Sequence, residues 1–308
     1  MNWILVTILG QLSNGVAFAI DKILLRSAFT RSATYAGLVG LLSSIILVAV
    51  PFVRIWPSDG NHWFLAFVTG ATFILALWAF FAALARAETT RIVPIVGSLI
   101  PIFTLVGSFA FLAERLSDRS FVGFALLIIA TIVLSSGKAG KPSSQAIWLS
   151  VTSAMLFAVS SVAGKAVYGD AGFFGGFVST RLFAAFTALF VLTLLDREGG
   201  REALSIFIRP KHGGTSKHKQ PGATAALLAM VGQSLGALGF VLVQYGISQG
   251  SPSIVNAMQA VQYAFLVLLA LFLRRRAPQL LGENLTKKAL ILKISALFVT
   301  AMGLFLIV

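Results

Sequence analysis

The sequence predicts an all-α integral membrane protein of ten transmembrane helices, arranged as two inverted five-helix repeats. Three observations carry this expectation. The 308 residues are 57% hydrophobic and only 11% charged, with a mean hydropathy of +0.91, whereas about a quarter of a soluble domain is charged. Charge-poor runs long enough to cross a bilayer, about 20 residues each, recur with short loops between them. Short blocks of the first half also lie over blocks of the second.

The first span is 1–20, which lacks the basic n-region of a cleavable signal and is expected to stay as a helix. The charge-free runs 32–53, 60–85, 92–113, 120–137 and 142–164 supply the next five. The seventh, 171–195, has Arg181 as its only charge before its end. Residues 220–273 carry no charge and are too long for one crossing. Their best break is Gln249-Gly250-Ser251-Pro252, because glycine punctuates helices and the residue before proline avoids helical backbone. The tenth span runs from about Ala289 to Val308, with Lys293 expected to snorkel to the near interface. The repeats are expected at 1–137 and 146–308, joined by a linker at 138–145.

The formal net charge of +14 would suggest nucleic acid in a soluble protein. Here most Lys and Arg fall in one alternate set of loops, above all the basic loop 196–222. The positive-inside rule makes that face cytoplasmic and both termini external. Anionic lipid is therefore the expected partner of the basic face, and no nucleic acid is expected. His212 and His218 in that loop have no acidic or cysteine neighbours and are read as solvated. The absence of cysteine excludes disulfides and thiolate metal sites.

Membrane transporters are often built from two halves, and the sequence carries signs of such a repeat. Ala83–Val93 lies without gaps over Gly246–Asn256, and Glu114-Arg115-Leu116-Ser117 over Glu283-Asn284-Leu285-Thr286. The first and sixth spans align through Gly15 with Ala158 and Lys22 with Lys165. A unit of five spans forces the second copy upside down, which implies a midplane cavity and alternating access.

The stretch from Phe81-Ala82-Ala83-Leu84 to Pro101, with Glu114-Arg115-Leu116-Ser117 and Gly123, resembles the first EamA repeat of the drug/metabolite transporter superfamily. Val178-Ser179-Thr180-Arg181-Leu182 with Ala185 resembles the family's arginine-bearing second helix of a repeat, although the equivalent place in the first half is near Gly40. The resemblance covers nearly the whole chain. It implies a metabolite transporter, usually an exporter, in the bacterial inner membrane.

Polar side chains in hydrocarbon are costly unless they face a partner or a cavity. Asn256, Gln259, Gln262 and Tyr263 form one stripe on the ninth span, at helical spacing. Gln233 and Gln244 lie three turns apart on the eighth, and Gln11, Asn14, Phe18 and Asp21 line one side of the first. In the resembling family these spans surround the substrate path, which Trp78 and Ser98 would complete. Single amides also serve as interhelical glue worth about 1 kcal/mol. Arg181 is read either as counter-charge for a substrate carboxylate or phosphate or as a structural ion. Lys22 and Lys165 are interface anchors with a gating role left open, and Pro94 and Pro101 bend their helix and free carbonyls.

All ten acidic residues fall at span ends or in loops, which disfavours a proton-coupled antiporter of cationic drugs. Three histidines and no paired intramembrane aspartates give no basis for an intramembrane enzyme or a cofactor. The expected function is secondary transport of a small polar, zwitterionic or anionic metabolite, amino acid-like, by a monomer or homodimer. The alternative is flipping of a lipid-linked phosphate.

Overall fold

The computed structural model describes residues 2–24, 44–87, 89–135, 142–191, 193, 223–273 and 287–307. These form α1 (Trp3–Leu24), a 3-10 helix (Ser44–Phe52), α2 (Gly60–Leu84), α3 (Thr89–Leu112), α4 (Asp118–Ser135), α5 (Ser144–Phe190), α6 (Ala223–Gln249), α7 (Pro252–Ala257), α8 (Gln259–Leu273) and α9 (Lys287–Ile307). No strand occurs among the described residues. Among the described residues eight helical stretches are long and apolar enough to cross a membrane, and the protein is a multi-pass membrane protein.

Side-chain caps fix several helix starts. Asp59 accepts from the His62 N–H at 2.8 Å, Ser143 from Ala146 at 3.2 Å and Ser251 from Ile254 at 3.1 Å, each satisfying a donor the helix leaves open. Pro252 follows its cap at the first helical position, where the missing N–H costs nothing. At the other end of α3, Ala113 takes a left-handed φ of 53°, and the Glu114 N–H reaches back to the Ser108 carbonyl at 3.1 Å.

The chain folds into two compact units, each drawing segments from both halves of the sequence. One comprises Met1–Ala28, Val93–Lys138 and Pro221–Val308; the other comprises Phe29–Ile92 and Ala139–Gln220. In the first unit α1 runs along α6, with Gly10 against the Gly239 carbonyl and Thr7 against Gly246. Small residues allow this approach, which supplies the packing that holds membrane helices together. The α4–α9 pair closes in the same way through Gly123 and Gly303, and Arg119 donates to the Phe305 carbonyl at 2.9 Å. Phe124, Leu127, Ile254, Met258, Tyr263 and Ala296 sit in the unit's buried core.

In the second unit α2 packs against α5. Ser153 and Ser160 of α5 donate to the carbonyls of Ala76 and Thr69, both at 2.9 Å. The 47-residue α5 is interrupted at Gly172, whose φ of 67° and ψ of 170° are not helical. The stretches before and after it are roughly 42 and 27 Å long at 1.5 Å per residue, against a hydrocarbon core of about 30 Å.

Several expectations need revision. Of the expected second span, the described part is a 3-10 helix containing Pro51, which cannot donate the bond that would close an α-turn. The expected ninth span is not continuous. It breaks at Met258 into α7 and α8, where the Met258 carbonyl accepts from the Val261 N–H three residues on, at 2.9 Å. Lys293 is 6% exposed and packed inside the protein rather than snorkelling along its surface. Gln233 is exposed and Gln244 buried, so the two do not share an environment. The linker's residues 138–141, the basic loop 196–222 with His212 and His218, and Gly40 lie outside the described residues.

Candidate functional site

In the first unit, polar side chains meet where two helices are irregular. Pro101 has no N–H, so the Gly97 carbonyl four residues earlier loses its helical partner. Gly97 faces α8: a Cβ built on it would lie 3.0 Å from the Tyr263 hydroxyl and 3.6 Å from the Gln259 carbonyl oxygen. The Gln259 amide donates to that hydroxyl at 3.0 Å. On the other side of the Met258 break, the Asn256 amide donates to the Thr104 hydroxyl of α3 at 2.9 Å. The result is an uncharged set of amides, hydroxyls and backbone polar groups inside an otherwise apolar core.

The other expected lining residues of this unit have different places. Ser98 is buried and donates to the Pro94 and Ile95 carbonyls of its own helix, at 2.7 and 3.2 Å. Gln11 and Gln244 are buried. Asn14 packs its side-chain oxygen against Gly239, at the α1–α6 crossing. Gln262 is half-buried on α8 and Pro101 is buried in α3. Lys22 lies in α1, with its side chain outside the described set. Thr104 and Gly97 were not singled out in the sequence. The signal for Gly97 is its place four residues before Pro101; Thr104, one hydroxyl in an apolar run, has none.

In the second unit Arg181 is 1% exposed. Its guanidinium carbon lies 4.4 Å from the Phe73 ring centroid and 5.6 Å from that of Phe177. Such desolvated cation–aromatic contacts are worth about 2 kcal/mol. Lys165 is half-buried in α5, seven residues before the Gly172 break, and Trp78 is 38% exposed on α2. At the start of α2, the His62 Nδ1 lies 2.9 Å from Asp59 and 3.5 Å from Asp170. Ser58 donates to both oxygens of Asp170, at 2.8 and 2.7 Å. Hydrogen bonds from the His62 backbone and ring hold the Asp59 carboxyl below its ordinary pKa. Among the described residues no group of three His, Asp or Glu is placed to hold a metal.

Residues 1–136 match the EamA-like transporter family. Over that segment, somewhat under half of the chain, the sequence is similar to members of the family. EamA proteins are membrane transporters of the drug/metabolite type. A crystal structure of another protein aligns with a TM-score of 0.61 at 16% identity, over 97% of this chain and 96% of that one, a likeness of fold alone. No curated protein matches the chain in sequence.

Proposed function

We propose that this protein is a secondary transporter of the bacterial inner membrane, exporting a small polar, zwitterionic or anionic metabolite of amino acid type by alternating access. In this reading its ten spans form two inverted five-helix repeats. The observation that carries the proposal is the uncharged cluster of Gly97, Thr104, Asn256, Gln259 and Tyr263. It stands where Pro94 and Pro101 leave gaps in the hydrogen-bond ladder of the continuous helix α3 and where the α7–α8 segment turns at Met258. Irregular backbone at membrane depth is tolerated where it is enclosed by protein or lines a water-filled path, and transporters bind substrates at discontinuous helices. The preference for zwitterions or anions rests on charge: among the described side chains, the two buried ions, Arg181 and Lys293, are both cations.

The test is counterflow in proteoliposomes with labelled amino acids, organic acids, sugar phosphates and cationic dyes. Saturable movement of an amino or organic acid is expected, reduced at least about tenfold by Gln259→Ala, the loss expected when a buried polar partner is removed. Movement of cationic dyes alone, or wild-type rates in both Gln259→Ala and Tyr263→Phe, would overturn the proposal. Movement restricted to a labelled phospholipid would favour the flippase reading.

A further inference from the structure

The six-residue helix α7 lies between two breaks, Gly250-Ser251 before it and Met258 after it. It is fastened at both ends to α3 and the residues that follow α3. Near its C-terminus Asn256 bonds Thr104 at 2.9 Å. At its N-terminus the hydroxyls of Ser251 and Ser253 donate to the two different oxygens of Glu114, that of Ser253 at 3.1 Å. Glu114 is half-buried and follows the left-handed Ala113 that turns the chain out of α3. The Trp3 indole packs over Gly250 and closes the other side of the break.

An ionised carboxylate only accepts hydrogen bonds, so it takes both serine protons at once. A proton on Glu114 turns one acceptor into a donor. The Ser251 oxygen already accepts the Ile254 N–H, and the serine on the protonated oxygen must turn from donor to acceptor, losing the charge-assisted bond. Proton binding therefore weakens the double clamp, because two charge-assisted bonds give way to weaker neutral ones, one of them reversed. Segment 249–258 has no ionisable side chain, and neither has Trp3. The charged neighbours on Glu114's own segment, Arg115, Asp118 and Arg119, are exposed.

We propose that Glu114 is a proton-binding coupling residue of the transport cycle: ionised, it clamps α7 to the end of α3, and protonated, it frees α7 to move with the Asn256 end of the candidate site. The proposal rests on the transporter reading for its purpose. Its test does not.

Hydrogen exchange of the full-length protein in nanodiscs, corrected for the intrinsic pH dependence of amide exchange, reads the clamp without any substrate. In the wild type, protection across 250–258 should fall about tenfold as the sample is acidified from neutral pH. Glu114→Gln should show the released level at neutral pH and little change with pH. Ser253→Ala leaves both the carboxylate and the Ser251 cap in place and should give an intermediate loss, which keeps the test open if Glu114→Gln folds poorly.

Protection in the wild type that is flat with pH would make Glu114 a structural cap and overturn the proposal. A pH response that survives in Glu114→Gln would place the proton elsewhere and overturn it equally. A protein that moves no metabolite but shows the predicted exchange would refute the transporter reading and leave the proton-operated clamp standing.

Discussion

Gly70 offers the most direct test of how α2 and α5 are held together. A Cβ added there would lie 2.5 Å from the Ala184 nitrogen and the Thr180 carbonyl oxygen, and 2.9 Å from the Phe183 carbonyl carbon. All three are backbone atoms of one helix, so no rotamer change relieves the contact and the helices must separate. Overpacking of this kind costs about 1–3 kcal/mol or more. Alanine's better helix propensity offsets about 1 kcal/mol of that. The separation also stretches the nearby bond from Ser160 to the Thr69 carbonyl, which is 2.9 Å, and membrane hydrogen bonds of this type are worth about 0.6 kcal/mol. Gly70→Ala should therefore be net destabilising by about 0.6–2.6 kcal/mol. For a protein of this size that lowers the apparent melting midpoint by several degrees, at roughly 2–4 °C per kcal/mol. Gly169→Ala is the control, because a Cβ there meets nothing within 4 Å. It should be neutral or slightly stabilising. The assay is loss of monodisperse protein on heating, at one fixed heating rate because unfolding in detergent is generally irreversible. Equal midpoints for the two variants would refute the packing argument.

Three further outcomes follow from the same geometry. Ala113→Gly should raise stability by about 0.5–1 kcal/mol, since glycine takes the 53° φ without a Cβ penalty; a lower melting midpoint would show that the Ala113 methyl contributes more than its backbone costs. Arg181→Met keeps volume but loses the contacts to Phe73 and Phe177 and should cost about 2 kcal/mol. An unchanged midpoint together with lost transport would instead assign Arg181 to the substrate. The Asp59 carboxyl is held below its ordinary pKa of 3.8, so its contribution is complete above that value and disappears as pH falls through the lower folded-state value. The stability of the wild type relative to Asp59→Asn should thus decline in acid, and a difference that stays level there would contradict the Asp59–His62 geometry.

The eight long apolar helices among the described residues were legible because the bilayer imposes one length on every apolar helix. The break at Gln249-Gly250-Ser251-Pro252 was legible for a local reason, a glycine that punctuates helices and a proline whose preceding residue avoids helical backbone, and the structure starts α7 at Pro252. The Met258 break was not. Nothing in Asn256-Ala257-Met258-Gln259 differs from an ordinary helical run, and the turn is set by tertiary packing around a fully buried Met258. The compact units also escaped the sequence, because each is assembled from distant segments that share no local pattern.

For the candidate site, residue type identified polar groups but not what they bind. Asn14, Asn256 and Gln259 carry the same functional group in similar apolar surroundings. One packs on Gly239 at a helix crossing, one bonds Thr104, and one bonds Tyr263 beside Gly97. Which outcome each amide meets depends on the neighbour's identity at one point of closest approach, and helical periodicity supplies only a face. The same limit explains Glu114. As a charged residue at the end of an apolar run it reads as an interface group, and only the arrival of Ser251 and Ser253 from more than a hundred residues away makes both of its oxygens acceptors. A carboxylate at a span end is therefore not removed from proton coupling by its position alone. What decides is whether its protonation breaks a bond that holds a movable helix, and among the described residues Glu114 meets that condition at α7.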